Sequence, residues 1–193
     1  MIAALPSVKP STTGHGMTAT ARPGFGAGAR TRDARLEPMT INPDLQGRSY
    51  PAAEVYDVGR EKIREFARAV KATHPAHFDV EAAKALGHKD LVAPPTFAII
   101  IAQRADAQLI EDPDAGIDFS RVVHADQRFI HHRPIFAGDR LVAELHVDGV
   151  RAMGGGAMIT TRQEIFALTD GGNESREAVA TTTSSILVRG EGQ

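Results

Sequence analysis

The sequence predicts an α+β fold in which an antiparallel sheet wraps around one long central helix. Three observations predict it. Residues 94–112, "PPTFAIIIAQRADAQLIED", open with prolines and are apolar nearly all round in their first turns, which marks a helix buried on most sides. From residue 121 onward the hydrophobic period changes to two and stays so for about four segments. A sheet with one apolar face needs a cover, and residues 95–110 are the only element apolar enough to provide it.

Each element follows from its local pattern. "SYPAAEVYDV" (49–58) reads as a short strand or an extended lead-in. "GREKIREFARAVKA" (59–72) places Ile63, Phe66, Ala67 and Val70 at i, i+3, i+4 and i+7, the stripe of an amphipathic helix. "DVEAAKALG" (79–87) has Asp79 placed to cap a short helix and Gly87 placed to end it. In "RLVAELHVD", Leu141, Ala143, Leu145 and Val147 share one face; Val142, Glu144, His146 and Asp148 share the other. Residues 156–168 and 177–189 are β-branched and mostly alternating, with the turn signal "DGGNES" between them. "RPIFAGD" (133–139) reads as a turn, with Gly138 permitting the backbone and Asp139 capping it. A sheet curled around one helix in this order is the hot-dog architecture, whose outer face and edges favour dimers.

Residues 1–40 differ from the domain expected over 41–190. Residues 1–38 are rich in Gly, Ala, Pro, Ser and Thr, and the first acidic residue is Asp33. They lack the 7–15-residue apolar core of a secretory signal. Little apolar surface to bury against a large ordering entropy predicts disorder. Met39 begins the orderly sequence and is the expected translation start, which the intact mass of the protein from its host would test; a targeting peptide is the other reading.

Composition narrows the function. A net charge of −2, without a dense Lys/Arg block, gives no face for nucleic acid. No apolar run approaches the roughly 18 residues of a membrane span. The absence of cysteine excludes disulfides, thiolate metal sites and a cysteine nucleophile, and fits a reducing cytoplasm.

Three stretches, "GREKIREFARAV", "EAAKALGHKDLVAPPTFAIII" and "VVHADQRFIHHRPIFAGDRL", resemble the MaoC-like N-terminal dehydratases, and within them the A-type subunits of the (3R)-hydroxyacyl-ACP dehydratase of mycolic acid elongation. The resemblance covers about residues 42–190. It implies a hot-dog fold, an acyl thioester carried on ACP or CoA, no cofactor, and a second hot-dog subunit as partner. Active relatives carry the motif G-D-x-N-P-x-H, whose Asp–His pair removes the α-proton and protonates the departing hydroxyl. Here the motif lies over Lys71-Ala72-Thr73-His74-Pro75-Ala76-His77: the proline and the last histidine match, while Ala72 replaces the aspartate and Lys71 the glycine. Where those relatives read Ala-His-Gly-Met, this chain reads Ala93-Pro94-Pro95-Thr96. Proline has no N–H, so Pro95 cannot supply the oxyanion donor that the glycine supplies.

The histidine cluster admits three readings. His74, His77 and His88 as a metal site meet the objection that structural zinc wants about four convergent ligands, and that Pro75 breaks a helical pair. His77, with His74 as a weaker partner, could do acid–base work with a carboxylate from elsewhere. Both could also simply line a packed loop. The resemblance makes Pro95, Thr96, Phe97 and Ile100 substrate-facing, although "TFAIIIA" is core first. His131 and His132 point to opposite strand faces and cannot serve one site, and "MGGGA" (153–157) is a loop or a bulged strand end. The functional expectation is a component of a (3R)-3-hydroxyacyl-thioester dehydratase of fatty acid synthesis, the acyl-chain-holding half of a heterodimer. A self-sufficient hydratase using His77 and a non-catalytic acyl-thioester binding protein are the alternatives.

Overall fold

The computed structural model describes residues 41–169 and 175–190; the expectations for residues 1–40 lie outside them. The lead-in folds as two short strands, β1 (Ser49–Tyr50) and β2 (Tyr56–Asp57), followed by α1 (Arg60–Ala69) and α2 (Val80–Ala85). The prolines start a 3-10 turn, Pro95–Ala98, which runs directly into α3 (Ile99–Glu111). Four long strands follow: β3 (Val122–His131), β4 (Arg140–Met153), β5 (Gly156–Leu168) and β6 (Arg176–Val188).

All six strands form one antiparallel sheet in the order β1-β4-β5-β6-β3, with β2 also pairing with β4. The helix packs chiefly on β4 and β5. Its buried residues Ile101, Ala105 and Leu109 meet the inward set Leu141, Ala143, Leu145 and Val147 and its partners Ile159 and Ile165. This is the hot-dog arrangement, and the two-residue period of β4 and β5 placed the core correctly. Among the described residues no helix is long and apolar enough to cross a membrane.

Local chemistry sets the turns. Gly154 and Gly155 sit at φ 53° and 87° and join β4 to β5 by a two-residue hairpin, with Met153 opposite Gly156. Asp79 caps α2 by accepting from the N–H groups of Glu81 and Ala82, and Gly87 closes it at φ 84°. One expectation on α1 needs correction: Ile63 and Ala67 are buried and Phe66 partly so, but Val70 is 44% exposed. The helix has ended by then, and Val70 is its C-cap residue rather than the last member of the stripe.

Candidate functional site

The end of α1 shapes the site. Ala72 N–H donates to Ala67 O at 2.8 Å and Lys71 N–H to Arg68 O at 3.1 Å, which leaves Lys71 at φ 57°. This is a Schellman ending with a lysine in the left-handed position that glycine ordinarily fills. Lys71 stands where the resembling motif has a glycine, the residue that takes up this left-handed conformation at no steric cost.

His74 then caps the 3-10 turn Pro75–His77, its Nδ1 accepting from Ala76 N–H at 3.2 Å. An asparagine carbonyl could make the same bond, so His74 takes over the work of a turn cap. His77 is half-buried, and its Nδ1 lies 2.7 Å from Val92 O. A carbonyl can only accept, so Nδ1 carries the proton and Nε2 of the neutral ring is left as the base. The ring centroids of His74 and His77 are 5.9 Å apart, while His88 packs instead on Phe136 at 5.7 Å. Ala72, at the aspartate position, offers a methyl group.

A backbone brace holds this loop. Val92 N–H donates to Ala76 O at 3.1 Å, and residues 91–93 pair with 135–137 through Ala93 N–H to Ile135 O at 2.8 Å and Ala137 N–H to Leu91 O at 3.0 Å. The turn beyond is locked by Asp139. Its carboxylate accepts from Phe136 N–H at 2.9 Å, from Lys89 at 2.8 Å and from Arg133 at 2.7 Å. Burial pushes the Asp139 carboxyl upward, but Arg133, Lys89 and the Phe136 N–H outweigh it and hold the group below the usual carboxylate range. Sequence reasoning found the turn and missed its ion network.

The four residues expected to face a substrate divide. Pro95 and Thr96 are exposed at the start of the central helix. No side chain caps that start, so the first N–H there is that of Thr96, one residue beyond the proline. Phe97 is fully enclosed, edge-on to Phe66 at 5.3 Å and to Tyr56 at 6.5 Å. Ile100 is partly buried against the core.

Two clusters went unread in the sequence. On the outer sheet face Glu144, His146 and Glu164 bring one ligand atom each within 4.8 Å of one another. Ser49 Oγ holds His146 Nδ1 at 2.8 Å, while Arg176 pairs with Glu144 and Arg162 with Glu164. The two arginines balance the two carboxylates, which makes the cluster an ion-pair lattice. Beneath the helix, Asp106 Oδ1 accepts from Gln163 Nε2 at 2.6 Å and from Thr161 Oγ1 at 3.3 Å, and Thr182 Oγ1 donates to Gln163 Oε1. Burial raises the Asp106 carboxyl to about 6. The available signal was parity: Thr161 and Gln163 occupy inward positions of β5, where the other inward residues are apolar.

Comparison with known proteins agrees with this fold. A family model, FAS1-like, dehydratase domain region, matches residues 44–180. The UPF0336 protein of Clavibacter michiganensis is 52% identical over 153 residues, covering 79% of this chain and 99% of the relative. Among solved structures, one chain of the HadBC (3R-hydroxyacyl-ACP dehydratase) complex of Mycobacterium tuberculosis is 38% identical, with a TM-score of 0.62 over 75% of this chain and 97% of that one. Rv0216 of the same organism, a double hot-dog protein, has a TM-score of 0.62 at 18% identity; 80% of this chain and 42% of that one are covered, which speaks for the fold alone. With the family model spanning most of the chain and a relative matched along nearly its whole length, the chain belongs to the FAS1-like dehydratase-region family.

Proposed function

We propose that the chain is the acyl-chain-holding subunit of a (3R)-3-hydroxyacyl-thioester dehydratase, paired with a second hot-dog chain that carries the working Asp–His pair. The observation that supports this reading is an ordered motif loop that lacks an acid. Lys71 takes a left-handed turn at the motif's glycine position, His74 caps the next turn at its asparagine position and His77 is anchored at its histidine position, yet Ala72 has no proton to give or take. The substrate in this reading is an acyl group on ACP or CoA, and no cofactor takes part. Support for a partner comes from β3, an edge strand whose Val123 and Ile130 are 42% and 60% exposed.

The test is expression with and without a hot-dog protein bearing an intact G-D-x-N-P-x-H motif, followed by assays of oligomeric state and crotonyl-CoA hydration. Activity only in the mixed complex is the expected result. Hydration by this chain alone, abolished by His77→Ala, would overturn it in favour of a self-sufficient hydratase. That second reading draws on His77 Nε2, which makes no hydrogen bond among the described residues, and on the Thr96 N–H, which no described side chain caps. Equal partner activity without this chain would favour a binding protein instead.

A further inference from the structure

On the outer face of the sheet the ion pairs leave one polar atom over. Glu144 and His146 lie two apart on β4 and so share that face, and register sets Glu164 of β5 directly opposite Glu144. One ligand atom from each of the three lies within 4.8 Å of the others. Two carboxylates directly opposite on paired strands repel unless positive charge stands between them. Arg176 takes Oε1 of Glu144 and Arg162 takes Oε1 of Glu164, which leaves the second oxygen of each carboxylate for another cation.

His146 supplies an independent observation. Its Nε2 is shut off from solvent and has no hydrogen-bond partner among the described residues. A buried polar atom left unbonded is destabilising and calls for a ligand. Nδ1 of the same ring lies 2.8 Å from Ser49 Oγ, which register places beside it on β1. With the proton on Nδ1 and donated to that oxygen, Nε2 presents a lone pair. Metal-binding histidines are held in this way, with one nitrogen on the metal and the other fixed by a hydrogen bond.

We infer that Glu144, Glu164 and His146 Nε2 bind one divalent transition cation, with water as its fourth ligand. Imidazole and carboxylate together suit zinc. The site lies on the face opposite the central helix and is independent of the dehydratase reading: it staples β4 to β5 and, through Ser49, to β1. Tetrahedral zinc holds its ligand atoms about 3.4 Å apart, so the three side chains close by at most about 1.4 Å. The arginines can yield. Arg162 also bonds Asp148 at 3.1 Å and Arg176 lies over the Phe166 ring at 5.1 Å, so each keeps a partner when its glutamate turns to the metal. Three carboxylates, those of Glu144, Glu164 and Asp148, against these two guanidiniums leave one negative charge for a cation to meet.

The experiment is calorimetric titration of the full chain, first freed of metal by a chelator, with zinc chloride, alongside thermal melts with and without zinc. Saturable binding of a single equivalent and a zinc-dependent rise in Tm are the expected result. His146→Ala and Glu164→Gln should abolish both while still melting cooperatively without zinc. Ser49→Ala, which removes only the hydrogen bond behind the ring, should weaken binding by roughly 10–100-fold and decides the matter if His146→Ala does not fold. His77→Ala should bind zinc as the parent does, because the loop histidines are no part of the site. No saturable binding by the parent chain would overturn the inference. So would parent-like binding by both His146→Ala and Ser49→Ala, or a loss in His77→Ala, which would move the metal to the loop.

Discussion

His77 Nδ1 and the carbonyl oxygen of Val92 lie 2.7 Å apart, across fifteen positions of chain. The bond fixes which ring nitrogen is protonated and ties the α1–α2 loop to the segment that leads into the central helix. His77→Ala should cost about 1 kcal/mol of stability, the ordinary net worth of one partly buried hydrogen bond. In a complex with an active partner it should lower dehydratase turnover by less than about tenfold, against the roughly 100-fold or more expected of a working acid–base residue. Denaturant melts and steady-state rates on the same preparation check both numbers.

Lys71 predicts a gain. A side chain held at φ 57° costs roughly 1–2 kcal/mol that glycine does not incur. Lys71→Gly should therefore stabilise the protein by about 1 kcal/mol, read as a rise in Tm, although every contact of the lysine is removed. Lys71→Ala, which keeps a Cβ in the strained position, should give no such rise.

Asp106 gives stability a pH dependence of unusual sign. Its carboxyl titrates at about 6 in the fold, against an ordinary value of 3.8, because burial opposes the charge. The folded chain holds this proton more tightly than the unfolded chain does. The contribution is thus complete below about pH 4, is lost as pH rises through about 6, and is flat beyond. A carboxyl raised this far is worth about 3 kcal/mol between the two ends of that range. Asp106→Asn should remove this slope and be more stable than the parent at about pH 7.5, as measured by urea melts at a series of pH values.

Asp139 predicts the reverse dependence. Its carboxylate is held below the usual range by Arg133, Lys89 and the Phe136 N–H, so its contribution is present above about pH 4 and lost as pH falls through its lowered pKa. Asp139→Ala takes the acceptor from the Phe136 N–H and the buried partner from Arg133, which keeps Glu177, and should cost about 2–3 kcal/mol. Thermal melts should show that loss at about pH 7 and a much smaller one near about pH 2.

These cases also mark how far the sequence could be read. The two-residue period of "RLVAELHVD" was enough to name Leu141, Ala143, Leu145 and Val147 as core, because alternation is a local property of a strand. The motif frame was legible for the same reason: its residues are neighbours in the chain. Asp106 was not, since an aspartate in "QRADAQ" looks like any solvated helix residue until Gln163, 57 positions later, is brought against it. Asp139 looked like turn chemistry alone because Lys89, 50 positions earlier, supplies half of its ion network. Val70 fell the other way: it kept the helical spacing after the helix had stopped.

The strand order has one further consequence. At one end of the sheet β4 is covered only by the short β1 and β2, with Pro51 between them; at the other lies the ten-residue β3 with a free side. Among the described residues β3 pairs only with β6, so a twofold pairing through β3 would use up that side and leave each chain no second long ladder to offer. Growth by that route would end at two, and the same strand that could take a companion would then offer no route to fibres.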